Sequence, residues 1–194
     1  MKIGKVDIEL YKKPGYNNPD KNERAVELAL AFYFCKKTPE IVELGAVLPY
    51  YINATHSVYD LHDPYKNCIR INLENLNKYS LVDKNVVSIS TLEHVGFDNY
   101  ANQAIRQPTA NWANGIKIFE KIQQEAKSYL ITLPIGYNSG LDEECKKLPN
   151  AILLKRINED NDWERTDSWS HKYNNPFFAA NGLCILTNLE DLLE

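Results

Sequence analysis

The sequence predicts an α/β fold, a single domain built on a mostly parallel sheet, and three observations lead there. A length of 194 residues suits one domain with a full core of its own. Several short runs rich in β-branched residues are apolar throughout rather than alternating, the pattern of strands covered on both faces. A helical stretch lies between two of these runs, as in a strand-helix-strand unit.

Along the chain, the first twenty residues hold a strand-like run and then turn chemistry at Pro14-Gly15 and Asn17-Asn18-Pro19-Asp20. Asp20 or Asn22 can cap a helix reaching about Lys37, with Val26, Leu30, Tyr33 and Phe34 on its apolar face and Pro39 beyond its end. Strands are expected at 41–45, 56–59, 68–72, 86–90, 129–133, 152–157 and 183–187. A helix after Pro108, with Trp112, Ile116, Phe119 and Ile122 on one face, links strand 86–90 to strand 129–133. The last two strands, separated by the polar and aromatic stretch 158–181, read as an antiparallel closing pair. No repeat or low-complexity linker interrupts the chain, so residues 1–194 form one domain: an N-terminal segment and helix over 1–38 and an α/β core over 39–194.

Composition narrows the partners. A net charge of −4, with no Lys/Arg cluster, argues against bulk nucleic-acid binding and against attraction to an anionic membrane. The most apolar helical stretch, 28–34, is too short to span a bilayer, and the first residues lack the apolar region of a signal peptide. Cys35, Cys68, Cys145 and Cys184 form no C-x-x-C pair; they read as reduced thiols of a cytoplasmic protein.

Four stretches carry polar groups where chemistry is expected. Glu43-Leu44-Gly45 ends the strongest strand, and ligands of doubly wound folds sit outside the carboxyl ends of strands. Asp60 ends the next strand, at a distance suited to an acid that accepts hydrogen bonds from ribose hydroxyls. The run Ser88-Ile89-Ser90-Thr91-Leu92-Glu93-His94-Val95-Gly96 brings a buried strand directly to a Glu-His pair. Either member can take a proton from a hydroxyl or amine, although an isolated pair more often caps a turn and packs. Pro134-Ile135-Gly136-Tyr137-Asn138, followed by Asp142, closes another strand at the same sheet edge; an ordinary surface turn is the competing reading. Asn22-Glu23-Arg24-Ala25-Val26-Glu27 reads as a solvated helix face whose ion pairs contribute a few tenths of a kcal/mol.

Together these stretches resemble class I S-adenosylmethionine-dependent methyltransferases, and more narrowly a group of small bacterial and viral members. That group carries an N-E-R-A-V-E helix, an E-x-G strand end, an S-I-S-T-L-E-H-V-G strand end and a P-x-G-Y-N strand end. Here they read 22–27, 43–45, 88–96 and 134–138, and the likeness extends over most of 16–188, including Trp163-Glu164 and 180–183. The resemblance implies a Rossmann-like fold: a seven-stranded, mostly parallel sheet with helices on both faces and an antiparallel last strand. It implies S-adenosylmethionine as cofactor, with Glu43 and Gly45 flanking its methionine part, Asp60 holding the ribose and Asn72 beside the adenine. Ser88, Ile89 and Ser90 would line the methyl-bearing edge, with Glu93 and His94 facing the acceptor.

Two departures from the family pattern stand out. Val47 and Pro49 occupy places where the usual cofactor loop has glycine. Some O-methyltransferases hold a divalent metal with E-x-x-E-H; here the first Glu position is Ser90, so no required metal is expected. The expected reaction is methyl transfer to an oxygen or nitrogen of a small-molecule or glycan-like acceptor. His94 is the first choice for a base, because imidazole titrates near neutrality, and Glu93 is the second choice or the group that orients His94. Tyr137, Asn138 and Trp163 are the candidates for acceptor binding. A different class of function, a non-catalytic binding or assembly module, is motivated by Val47 and Pro49 and by the aromatic segment Trp163, Trp169, Tyr173, Phe177 and Phe178.

Overall fold

The computed structural model describes residues 1–96, 114–174 and 179–194. Trp112, Phe177 and Phe178 fall outside them. The chain opens with a small antiparallel hairpin, β1 (Lys2–Ile3) and β2 (Val6–Asp7). Helix α1 (Arg24–Lys37) follows; the Asn22 side chain accepts from the Arg24 amide at 3.1 Å, and Thr38 closes the helix by donating its hydroxyl to the Phe34 carbonyl. Next come β3 (Ile41–Leu44), β4 (Ser57–Asp60), β5 (Ile69–Arg70) and β6 (Asn85–Ile89). Short 3-10 turns cover Leu48–Tyr50, Leu73–Lys78 and Leu92–His94. Helix α2 (Asn114–Glu125), β7 (Ser128–Pro134), α3 (Ser139–Cys145), β8 (Ile152–Arg156) and β9 (Trp163–Arg165) continue the chain. A two-stranded pair, β10 (Tyr173–Asn174) and β11 (Ala179–Ala180), precedes β12 (Gly182–Thr187) and the terminal turn α4 (Glu190–Leu193).

One eight-stranded sheet in the order β5-β4-β3-β6-β7-β12-β8-β9 organises the fold. The first five strands in that order are mutually parallel; β12, β8 and β9 pair antiparallel. The strand-helix-strand unit is β6-α2-β7, and β8 and β12 form the antiparallel pair that the sequence predicts. β12 also pairs with β7, and β9 adds an edge strand beyond the seven expected.

The all-apolar runs have a direct cause. Val86, Tyr129, Ile131, Leu133, Cys184 and Leu186 face one core with Ile118, Phe119 and Ile122 of α2 and Leu141 of α3. Their neighbours Val87, Ile89, Leu130, Leu183 and Ile185 face the other, with Val26, Leu28, Leu30 and Phe34 of α1 and Leu192 of α4. Successive strand residues point to opposite faces, so a strand with apolar layers on both sides has no polar position to spare.

Helix α1 departs from the expected single apolar face. Ala25, Leu28, Ala29 and Ala31 are buried as well as Val26, Leu30 and Phe34, and so are Glu23, Arg24 and Glu27. The solvated face expected for these three charges is therefore corrected: the first turn of α1 lies inside the molecule, at the carboxyl edge of the sheet. No described helix is long and apolar enough to cross a membrane.

Candidate functional site

The chain runs from β3 to β4 and β5 on one side, then crosses back to β6 on the other side of β3. The carboxyl ends of β3 and β6 thus flank the point where strand order reverses, the position at which open α/β sheets bind ligands. A cavity of about 630 Å³ lies there. Its wall takes Ala46 and Val47 after β3, Asp60 to Asp63 at the end of β4, Ile71 to Glu74 after β5, and Ser90 and Thr91 after β6. A second cavity of about 370 Å³ adjoins it beyond β6 and β7, between Glu23, Glu93, Pro134, Tyr137 and Tyr173. Asn17, Arg24, Ser90 and His94 line both.

The loop after β3 is held by its own acid. Glu43 is fully buried, and its Oε1 accepts from the amides of Val47 (2.9 Å) and Leu48 (2.7 Å). Its Oε2 lies 2.7 Å from His56 Nε2. Glu43 therefore shapes the loop and is not among the described residues lining either cavity. Gly45 has a φ of +85°, and a Cβ there would stand 2.0 Å from Thr91 Oγ1. Only glycine fits this left-handed, crowded position. The β3 and β6 ends, paired in register through Leu44 and Ser88, thus continue at close range into their loops. Ser88 and Ile89 are also fully buried: Ser88 donates to the Leu44 carbonyl (3.0 Å), and Ile89 packs in the core with α1. The strand end that does reach the cavities is Ser90, in a left-handed conformation with a φ of +42°.

Asp60 lies at the mouth of the larger cavity. Oδ2 accepts from the Ala46 amide (3.2 Å), and Oδ1 accepts from the amides of His62 (2.7 Å) and Asp63 (2.9 Å). A carboxylate has about four acceptor positions, so capacity is left on Oδ2 for a ligand hydroxyl. Asn72 lines the same cavity and caps the 3-10 turn beneath it by accepting from the Glu74 amide (3.0 Å). Tyr16 from the N-terminal segment stacks on Tyr50 with ring centroids 4.3 Å apart, adding a wall over the cavity.

Between the cavities sits a buried charge group that the sequence reading assigned to solvent. Arg24 Nη1 is 3.0 Å from Glu27 Oε2, and Glu27 Oε1 accepts from the hydroxyls of Ser90 (2.6 Å) and Thr132 (2.8 Å). Glu23 accepts from the Ala180 amide (2.8 Å); burial and the nearby Glu27 charge push its carboxyl up to about 7. A signal was present in the sequence: from Ala25 to Phe34, Glu27 is the one charged residue, so the helix has no charged face on which to carry it.

Glu93 is 2% exposed, and both its carboxyl oxygens lack a hydrogen-bond partner among the described residues. Burial pushes this carboxyl up to about 8, against the pull of His94. His94 Nε2 is 3.6 Å from Glu93 Oε1, and its ring meets Tyr137 edge-on at 4.6 Å. Tyr137 in turn meets Tyr173 at 5.0 Å. Asn138 stands behind this wall. It caps α3 by accepting from the Leu141 amide and donates its Nδ2–H to the Glu93 carbonyl at 3.1 Å. Trp163 stands apart from these groups: it is buried on β9 in the α1 core and donates Nε1–H to Asn161, and it lines neither cavity among the described residues. Among the described residues no cluster of His, Cys, Asp or Glu is arranged to hold a metal ion.

The structure thus gathers Asp60, Asn72, Ser90, Glu93, His94 and Tyr137 around two neighbouring cavities, with Glu43, Gly45, Ser88, Ile89 and Asn138 holding the walls. No family model matches the chain, and no curated protein or solved structure is found to be similar to it.

Proposed function

We propose that the chain is an S-adenosylmethionine-dependent methyltransferase acting on an oxygen or nitrogen of a small-molecule or glycan-like acceptor. The observation that carries this reading is the pair of neighbouring cavities at the switch point, larger on the Asp60 side and smaller on the Glu93 side, with Asn17, Arg24, Ser90 and His94 lining both. A two-substrate transfer needs room for donor and acceptor side by side, and the two cavities offer it. The antiparallel β12, inserted between β7 and β8, agrees with a class I methyltransferase sheet to which β9 is an addition.

The donor set fits the cofactor. Asp60 offers a carboxylate edge for ribose hydroxyls, and Ile71 and Leu73 offer apolar contact for a base, with Asn72 between them. Val47 and Pro49 leave the cavity open: Val47 lines it, and Pro49 lies in the 3-10 turn that Glu43 anchors. A non-catalytic module is favoured by a cleft filled beyond Gly45, and about 630 Å³ of open volume argues against it. When bound, the cofactor supplies an activated methyl group on a sulfonium leaving group. The residues of the chain then have to align the acceptor with it, exclude water and move a proton, and alignment alone supplies much of the rate. Arg24, neutralised by Glu27, sets a rigid polar floor common to both compartments. A cytoplasmic location agrees with this cofactor and with four free cysteines.

Calorimetry tests the reading. Wild-type protein should bind S-adenosylmethionine at one site, and Asp60→Ala should weaken binding about tenfold or more, the loss expected for a charge-assisted hydrogen bond of about 1.5–3 kcal/mol. No binding by the wild type at millimolar cofactor overturns it.

A further inference from the structure

We infer that Glu93, not His94, takes the proton from the acceptor, and that the acceptor is a neutral polyhydroxyl compound about the size of a hexose seated in the smaller cavity. The inference rests on the methyltransferase reading and names the substrate class and base of that same site.

Placement separates the two candidates. His94 lines both cavities, whereas Glu93 lines the smaller one alone. His94 engages the Tyr137 ring, while the Glu93 oxygens have no hydrogen-bond partner among the described residues. A buried polar group without a partner costs stability, so a site that keeps one is built to satisfy it with a ligand. Its backbone is held on two sides. Asn138 donates to the Glu93 carbonyl, and a Cβ on Gly115 of α2 would lie 2.5 Å from the Leu92 carbonyl oxygen, so the turn and the helix pack at backbone distance.

Size and charge specify the acceptor. A cavity of about 370 Å³ has room for one hexose together with ordered water. Asn17, Asn18 and Asn22 offer amide donors and acceptors at its edge, and the edge-on Tyr137–Tyr173 pair offers a ring surface. The charged groups facing Glu93 are His94 on its own turn and Glu27 and Arg24 from α1, and the last two neutralise each other. Apart from Glu23, Arg24, Glu93 and His94, the described lining is of amide, hydroxyl, phenol and proline side chains, which suit hydroxyl groups rather than a charge.

The step balances as follows in atoms and electrons. In its ionised form, the minor one at neutral pH, Glu93 takes the proton of the acceptor hydroxyl on a carboxylate oxygen while an oxygen lone pair forms the bond to the methyl carbon. The carbon–sulfur bond breaks with its pair on sulfur, turning sulfonium into a neutral thioether. Glu93 returns the proton to water once the product leaves.

The test combines binding with transfer. Cofactor calorimetry on the wild type comes first, because its failure overturns the methyltransferase reading itself. Radiolabelled S-adenosylmethionine is then supplied with methyl hexopyranosides, with glucosamine and with glucuronate. Label is expected on the neutral glycosides as an alkali-stable ether. Glu93→Gln should lower transfer about a hundredfold or more, the range of a lost general base, with cofactor affinity unchanged. Glu93→Asp should restore part of it. The rate should rise with pH to a plateau above about 8, a limb that His94→Ala keeps and Glu93→Gln loses. In a readout independent of turnover, carboxyl NMR of labelled glutamate should show the Glu93 signal moving when a methyl hexopyranoside is added. Methylation of the amine or the carboxylate, wild-type rates in Glu93→Gln, or a cofactor-binding protein that neither binds nor labels any neutral glycoside overturns the inference.

Discussion

Replacing Glu27 by Gln distinguishes a solvated helix face from a buried charge group with a clear difference in magnitude. On an exposed face the pair with Arg24 is worth about 0.3–0.5 kcal/mol. In the structure Glu27 is fully buried, its side chain is held by the Ser90 and Thr132 hydroxyls, and its second oxygen compensates Arg24. Gln keeps the shape and one carbonyl acceptor but leaves Arg24 without its close counter-charge. Breaking a buried pair from one side costs about 3–5 kcal/mol. Glu23 lies close by, and removing the Glu27 charge lowers its carboxyl, so it ionises and returns part of the loss. The expected net cost is about 3 kcal/mol, at the low end of that range. For a domain of this size that is about 6–12 °C in Tm. Urea unfolding monitored by circular dichroism measures it. The double variant Arg24→Met with Glu27→Leu should recover most of the loss, because apolar replacement of a buried ion pair is often neutral. A cost below about 1 kcal/mol for Glu27→Gln, or no recovery in the double variant, refutes the reasoning.

Further outcomes follow from the same geometry. Glu93 has a native carboxyl raised to about 8 from 4.5, so the native state holds a proton that the unfolded state releases, and its contribution to stability is lost as pH rises through that window. Glu93→Gln should therefore gain stability relative to the wild type by about 1 kcal/mol per pH unit between about pH 5 and 8; parallel urea midpoints across that range contradict this. Gly45→Ala should cost about 2 kcal/mol or more through its left-handed φ and its clash with Thr91, and adding Thr91→Ala should return the steric part but not the backbone part. An unfolding curve matching the wild type overturns that account. Asn138→Ala should slow methyl transfer while leaving cofactor affinity within about twofold, since its amide holds the Glu93 carbonyl and lies outside the larger cavity; equal loss of both would mean that the α3 cap is needed for the fold.

The central strands were legible because burial on both faces leaves an unbroken apolar run, and each of the seven expected runs overlaps a strand, the exposed β5 included. The edge strand β9 was not: Trp163-Glu164-Arg165 is short, and two of its three residues are exposed. At the site, strand ends announced themselves as polar residues after apolar runs, which is how Asp60, Ser90, Glu93 and His94 could be read. What the sequence does not display is which way a residue at a strand end turns. Ser88 and Ser90 have the same side chain two positions apart, yet Ser88 bonds the neighbouring strand while the positive φ of Ser90 turns it toward α1. Trp163, a candidate for acceptor binding, lies in a polar segment, yet its indole N–H is satisfied by Asn161 two residues earlier. The Glu23, Arg24 and Glu27 group was hidden by local ion-pair spacing, which is identical on a wet face and in a core. The deciding clue lay in the apolar residues around it.

The most direct test of the central claim is an amide NMR titration of the isotope-labelled protein with S-adenosylmethionine. Saturable shifts are predicted at Ala46, Val47, His62, Asp63, Asn72 and Ser90, all on the wall of the larger cavity. No shift at millimolar cofactor, or shifts confined to residues away from that wall, would contradict the account.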